Sequence, residues 1–249
     1  MKESRLDKIL KLTNESGFIK IADAAKSLNV TQMTIRRDLE QLEQRGEVVR
    51  IHGGARRLTK DYFTEHSHQQ KERLNVDEKK YVAMKAAELI EDDDTVFIGP
   101  GTTTEFMYEF LDVESATIIT NSISILNSFQ ENKKLDVILI GGRLREQTKS
   151  FVGYFTSNWI KDINVKKSFI GTNGIFENNI TTADEEEGAL QKTIINNSQQ
   201  NYIVSDSSKF GTEAFQVICS VDEVDGIITD KLISRDTENY YKTKCKIIY

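Results

Sequence analysis

The chain has 249 residues, 38% hydrophobic and 29% charged, with a formal net charge of −6, which describes one large or two modest globular domains and excludes a disordered chain. An acidic total also excludes a wholly basic nucleic-acid binder, so any such role has to sit in a local module. Residues 1–58 qualify: they carry 12 Lys+Arg against 8 Asp+Glu, net +4, and leave −10 for residues 59–249. Two cysteines, Cys219 and Cys245, are too few for a disulfide framework. Met1-Lys2-Glu3-Ser4-Arg5 lacks the apolar core of a signal peptide, so the expected compartment is the cytoplasm. No apolar run approaches the roughly 20 residues of a membrane span. His52, His66 and His68 have no Cys or His at zinc-site spacing, so no membrane, metal or cofactor is expected.

In chain order, Leu6, Ile9, Leu10 and Leu12 place an apolar stripe on a helix over 3–15, with Gly17 as its breaker. Ala22, Ala25 and Leu28 predict a short second helix, and Asn29 supplies a tight turn. A third helix starts after Thr31, whose hydroxyl can cap a first-turn amide, with Val30 and Ile35 as a hydrophobic staple. Ile35, Leu39 and Leu42 form its buried stripe, so Gln32, Met33, Arg36, Arg37 and Glu40 fall on other faces. Residues 48–56 read as strand, Gly53-Gly54 turn, strand. Three helices and a basic hairpin make a winged helix-turn-helix over 1–58. Residues 59–76, polar and aperiodic, read as a linker, and a helix over 77–90 opens a second domain, 77–249.

From residue 95 short apolar runs alternate with helical stretches: strands at 95–98, 117–120, 137–140, 168–171, 202–205 and 226–229, helices at 104–111, 122–130, 154–162 and 186–198. That alternation predicts an α/β Rossmann-like domain with a mostly parallel sheet, giving an α+β reader followed by an α/β unit.

In a helix-turn-helix the start of the second helix enters the major groove, where Arg reads guanine edges and Thr or Gln reaches bases or phosphates. Thr31, Gln32, Thr34, Arg36 and Arg37 occupy that position, and Arg50, His52, Gly53 and Arg56 lie on the wing. The plainer reading pairs Arg36 and Arg37 with Asp38 and Glu40 on a solvated helix. The cap, staple, turn and basic wing, inside a net-positive segment of an acidic chain, favour double-stranded operator DNA as the partner.

Ligands of parallel α/β sheets bind beyond the carboxyl ends of the strands. Five loops fall there: 99–104, Asn121-Ser122, Gly141-Gly142-Arg143, Thr172-Asn173-Gly174 and 206–209. Gly99, Gly101 and Gly142 allow backbone amides to approach an anion, Thr102 and Thr103 open a helix, Asn121 and Asn173 offer amides, and Arg143 and Lys209 add charge. Together they outline a phosphate pocket. No G-x-x-x-x-G-K-[ST] is present, and Gly99-x-Gly101 lacks the third glycine of a dinucleotide fingerprint.

Met33-Thr34-Ile35-Arg36-Arg37-Asp38-Leu39, Glu43-Gln44-Arg45-Gly46 and Val49-Arg50-Ile51-His52-Gly53-Gly54-Ala55 resemble the signature of the DeoR family of bacterial transcriptional regulators, nearly continuously from Arg5 to Ala55. Lys20 departs from it, standing where a capping Ser or Thr is common. The resemblance implies a phosphosugar-isomerase-type effector domain, carried by the G-T-T-T, T-N-S and G-G-R runs, 171–175, 181–184 and D-S-S-K-F-G, and hence a sugar-phosphate effector. Gly99-Pro100-Gly101, in place of an Asp at 99, resembles the lactose phosphotransferase-system branch and implies tagatose-6-phosphate, with a fructose- or other hexose-phosphate as the alternative.

An isomerase also needs a carboxylate base. Asp184, Glu185, Glu186 and Glu187 are candidates, although acids at a helix start are also favoured by its dipole, and Asp184 and Glu187 can instead accept sugar hydroxyls. Thr172-Asn173-Gly174 replaces the acidic motif of the isomerases, so binding without turnover is expected. The reading is a repressor, at least a dimer on a symmetric operator. An isomerase-like enzyme with a DNA-binding tether, or an activator, is the alternative.

Overall fold

The protein is described by a computed structural model that covers residues 2–16, 18–45, 47–51, 53–57 and 65–249. The chain divides into two compact units, Met1–Tyr62 with Ser234–Asn239, and Phe63–Ile233 with Tyr240–Tyr249.

In the first unit, α1 (Lys2–Ser16) is followed by β1 (Phe18–Lys20), α2 (Ile21–Ser27), α3 (Gln32–Gln44), β2 (Val48–Ile51) and β3 (Gly54–Arg57). Leu6 and Ile9 of α1, Ile21, Ala24 and Ala25 of α2, and Ile35, Leu39 and Leu42 of α3 share one core with Val48 and Ala55. The start of α3 is fixed as expected: the Thr34 amide donates to the Thr31 hydroxyl at 3.2 Å. Asn29 takes the left-handed turn at φ 51°. Lys20 stands at the N-cap of α2 without a side-chain capping hydrogen bond, since an ammonium has no acceptor to offer a helix amide where Ser or Thr would.

The wing has three strands rather than two, in the order β1-β3-β2. β1 is so close to β3 that a Cβ on Gly54 would come 2.1 Å from the Ile19 carbonyl, which is why a glycine stands there.

Asp38, considered above as a partner of Arg36 or Arg37, is buried and held by Arg5 of α1 (Nε to Oδ2 2.6 Å, Nη2 to Oδ1 3.0 Å). Among the described residues neither Arg36 nor Arg37 has an ion partner, and both are exposed.

In the second unit, α4 (His68–Glu72) and α5 (Val76–Ala87) precede a seven-stranded sheet made of β4 (Asp94–Ile98), β5 (Ala116–Thr120), β6 (Leu135–Leu139), β9 (Val165–Gly171), β12 (Ser198–Val204), β14 (Gly226–Ile228) and β15 (Lys246–Ile248). Every pairing is parallel, in the order β15-β14-β12-β9-β4-β5-β6. The chain enters at β4, runs outward to the β6 edge, returns to β9 beside β4 and runs outward the other way. The boundary between β4 and β9 is therefore a topological switch point, where loops leave a crevice at the strand ends.

One face carries α5, a 3-10 helix (Thr104–Phe110) and α6 (Ile123–Phe129) over a core with Val82, Met107, Ile125 and Phe129. The other carries α7 (Tyr154–Lys161) and α8 (Glu185–Asn196) over Ile160, Leu190 and Ile194. α9 (Arg235–Lys242) follows β14.

Three expectations change. The helix over 104–111 is 3-10, because the Thr104 hydroxyl ties the turn to the Gly99 and Gly101 carbonyls, each at 2.8 Å. A hairpin, β7 (Arg143–Arg145) with β8 (Ser150–Val152), and an antiparallel sheet of β10 (Gly174–Phe176), β11 (Asn179–Thr182) and β13 (Gln216–Ser220) are inserted between the parallel strands.

The stretch 59–76 is not linker throughout. Residues 58–64 lie outside the described residues, but from Glu65 the chain is part of the second unit. α4 has a Ser67–Gln70 capping box, His68 N–H donates to the Gln147 carbonyl at 2.9 Å and Gln147 Nε2 to the Glu65 carbonyl at 2.8 Å.

Removing Arg5 strands a buried carboxylate. Arg5→Ala is expected to lower reader-domain stability by about 1–3 kcal/mol in urea unfolding, whereas Arg5→Met with Asp38→Leu recovers most of the loss. Equal losses in both variants would contradict this assignment.

Candidate functional site

The reader presents Thr31, Gln32, Met33, Arg36 and Arg37 to solvent from the first turns of α3, with Thr34 half-buried beneath them. Arg50 is exposed on β2 and is oriented by Glu43, which accepts its amide at 3.2 Å and lies 3.9 Å from its guanidinium. Gly53, at φ 81°, turns the wing. His52 falls outside the described residues. Arg56 is only 7% exposed, because it sits on the central wing strand β3, so it leaves the set of residues presented to DNA. Met33, not singled out for contact from the sequence, is 56% exposed and suits a thymine methyl.

In the second unit the loop after β4 is tied back onto the sheet and onto itself. The Gly99 amide is committed to the Phe169 carbonyl at 2.9 Å, so Gly99 binds its own sheet and not an anion. Gly101 lies under the Thr104 hydroxyl, and Thr102 and Thr103 are buried. Asn121, at the end of β5, is buried. Its Nδ2 donates to the Phe151 carbonyl at 2.8 Å, while its Oδ1 has no hydrogen-bond partner among the described residues. A buried acceptor without a partner costs about 1–3 kcal/mol, which a ligand hydroxyl would recover.

Gly142 is required by packing, since a Cβ there would meet the Thr156 hydroxyl at 2.0 Å. Asn173 Oδ1 is occupied by the Thr182 hydroxyl at 3.1 Å. Arg143 is exposed and paired with Glu186, so its charge is already answered.

The acidic start of α8 is organised by a different arginine. Arg145 meets Glu65 at 2.6 Å, Asp184 at 3.2 Å and Glu187 at 3.7 Å. Asp184 caps α8 by accepting from the Glu186 and Glu187 amides at 3.1 and 3.0 Å. Glu187 is buried and accepts from the Ser150 hydroxyl at 2.7 Å and from Thr148. Burial pushes its pKa up, against the opposing hydrogen bonds and Arg145.

The cations converge elsewhere, beyond β4 and β12. Lys79 of α5 is 4% exposed, and burial lowers its pKa to about 8, with Lys209 and Lys71 as neighbouring positive charges and Asp206 and Glu105 as opposing ones. Its ammonium donates to the Lys71 carbonyl. Lys209 follows β12, and burial lowers its pKa too, with Asp206 opposing and Lys71 adding. Among the described residues no carboxylate lies within 4 Å of either ammonium. Asn75 ties α5 to this loop through Nδ2, at 3.1 Å from both Asp206 Oδ1 and Ser208 Oγ.

Lys79, Lys71 and Asn75 were not picked out from the sequence. A signal was present for Lys79, because it shares the helical stripe of Val82, Ala83 and Ala86, where a lysine is out of place. Among the described residues no cluster could hold a metal ion, and no helix is long and apolar enough to cross a membrane.

A winged helix-turn-helix with unpaired arginines on its reading helix, joined to a parallel α/β domain with a cationic crevice at the strand ends, defines a DNA-binding regulator with its own sensor. Residues 5–61 match the DeoR-like helix-turn-helix domain and residues 74–231 the DeoR C terminal sensor domain, so the chain belongs to the DeoR family. It is 38% identical to a lactose phosphotransferase system repressor of Staphylococcus epidermidis and 37% identical to one of Streptococcus mutans, in each case over 231 residues and 92% of both chains.

Among solved structures it is similar to eIF2B beta from Chaetomium thermophilum (TM-score 0.48, 14% identity, 69% of this chain and 54% of that one). It is also similar to ribose 5-phosphate isomerase A from Methanocaldococcus jannaschii (TM-score 0.39, 18% identity, 55% of each chain).

The His68 ring pairs with Glu105 at 2.6 Å, which raises the His68 pKa above its ordinary 6.5. A raised folded-state pKa means that the pair's contribution is complete below the unfolded value and is lost as pH rises through the folded one. Amide protection of α4 should therefore fall as pH rises above about 6.5, and His68→Ala should remove that dependence. Protection independent of pH would contradict the pairing.

Proposed function

We propose that this chain is a cytoplasmic transcriptional repressor of a sugar-utilisation operon, which binds operator DNA as at least a dimer and is released by a phosphorylated sugar. The observation that carries the reading is the buried Lys79 with the half-buried Lys209 near it, neither with a carboxylate within 4 Å among the described residues, in a chain whose other end displays Arg36 and Arg37. An anion at the crevice would relieve the cost of burying the Lys79 ammonium and of holding Lys209 near it.

In this reading Thr31, Gln32, Thr34, Arg36, Arg37 and Arg50 contact DNA. Lys79, Lys209 and Lys71 hold the phosphate beside Gly101, Thr102 and Thr103, and the free Asn121 oxygen accepts from a sugar hydroxyl. The repressor relatives at 37–38% identity support repression over activation and a lactose-derived effector, which makes tagatose-6-phosphate the first ligand to test.

Binding without turnover is favoured over isomerase chemistry. A base must be free to take a proton from the sugar. Asp184 is committed to two α8 amides and to Arg145, and Glu187 to Ser150, Thr148 and Arg145.

Arg37→Ala is expected to weaken binding to an operator duplex selected in vitro by about 5- to 100-fold and to flatten its salt dependence, with no change in hexose-phosphate affinity. Unchanged operator binding would remove α3 from the interface. Incubating the protein with hexose and pentose phosphates should leave the sugars unaltered by NMR, and turnover would establish the enzyme instead.

A further inference from the structure

α7 carries an uncovered aromatic surface with no role above. Tyr154, Phe155 and Trp159 are 75%, 70% and 67% exposed, and Tyr154 and Phe155 stack edge to face at 5.7 Å. The helix is anchored from its other side by Thr156 and Ile160, both fully buried, so the aromatics are held outward on a fixed frame. Phe155 and Trp159, four residues apart, lie on one stripe with Tyr154 beside them. On the same face of the sheet, the outermost strand β6 leaves Ile138 44% exposed.

From Tyr154 to Ile160 no residue is charged, in a chain that is 29% charged. Depletion of charge with enrichment in Tyr, Phe and Trp marks the centre of protein interfaces. The one flanking lysine of the helix, Lys161, falls short of the basic fringe that an anionic membrane surface would require.

We propose that α7 is the contact between two copies of this chain, with Tyr154, Phe155 and Trp159 packed about a two-fold axis. Three aromatics at this exposure leave on the order of 400 Å² uncovered. Doubled by the symmetry, they supply about half of the ~1,600 Å² of a standard stable interface, and flanking residues such as Ile138 supply more. A two-fold contact places the same patch on both partners, so a self-complementary, uncharged aromatic surface fits a second copy better than a partner of different charge. The inference rests on the reading that the protein acts as at least a dimer, since one winged helix reads only a half-site.

Sedimentation velocity over a micromolar concentration series, on the full chain, tests it. Wild type should sediment as a dimer or a multiple of one, and Trp159→Glu should weaken the α7 contact by roughly 30-fold or more, with an unchanged circular dichroism spectrum. Oxidation of Asn158→Cys, on the same helix, should trap a reducible dimer whether or not the Glu variant folds. A wild-type monomer would overturn both this contact and the dimer reading. A Trp159→Glu protein that stays dimeric, or an Asn158→Cys protein that does not cross-link, would overturn the α7 contact and leave the dimer reading standing.

Discussion

A lysine ammonium buried without a carboxylate in contact is among the costlier things a fold can hold, and the sensor domain is built around one. Lys79 sits on the apolar stripe of α5, its ammonium answered among the described residues by a backbone carbonyl, with Lys209 and Lys71 adding positive charge and Asp206 and Glu105 at a distance. The crossover that brings β9 back beside β4 opens the crevice, and the loop after β12 brings Lys209 to it. Burial has already lowered the pKa of Lys79 to about 8, so an arriving anion would raise it again. That change in proton affinity is free energy available for coupling.

Lys71 is what places this crevice next to the beginning of the sensor unit. Its ammonium pairs with Glu65 at 2.9 Å, and Glu65 is also held by Arg145 at 2.6 Å. Arg145 in turn holds Asp184 and Glu187 at the head of α8. Residues 65–72 are thus bound to the hairpin β7–β8, to α8 through Arg145 and to the crevice through Lys71. A phosphate that draws Lys71 away from Glu65 would alter the balance of charges on Arg145. A coupling of about 1–3 kcal/mol between the two arrangements suffices for regulation.

The reader was legible because its signals are local. The Thr31 cap, the Asn29 turn and the Ile35, Leu39, Leu42 stripe are each set by residues within a few positions, and the reading helix follows from them. Six of the seven parallel strands were legible because each carries a short apolar run, continuous where both faces are buried, whereas β15, three residues at the sheet edge, was missed. The inserted antiparallel strands were not, since β7, β8 and β10 are three residues each and carry no period that distinguishes them from loops.

The site was legible to the level of its loops and no further. Arg143 and Arg145 share one face of β7 and both meet acids at the start of α8, yet one is exposed and the other largely enclosed. Glu65, 80 residues away from Arg145, makes that difference, and a pairing of that range leaves no mark in local sequence. The same holds for Gly99 and Gly142, which looked like anion-binding glycines and are fixed by the Phe169 carbonyl and by Thr156.

Regulation depends here on an anion being sensed at Lys79 and Lys209, and the most direct measurement is release of a fluorescent operator duplex by sugars in an anisotropy titration. Hexose 6-phosphates, tagatose-6-phosphate first, should release the wild-type protein where the same sugars without phosphate do not, and Lys79→Met or Lys209→Ala should bind the operator normally yet resist release. Equal release by unphosphorylated sugar, or wild-type release from both lysine variants, would contradict the account.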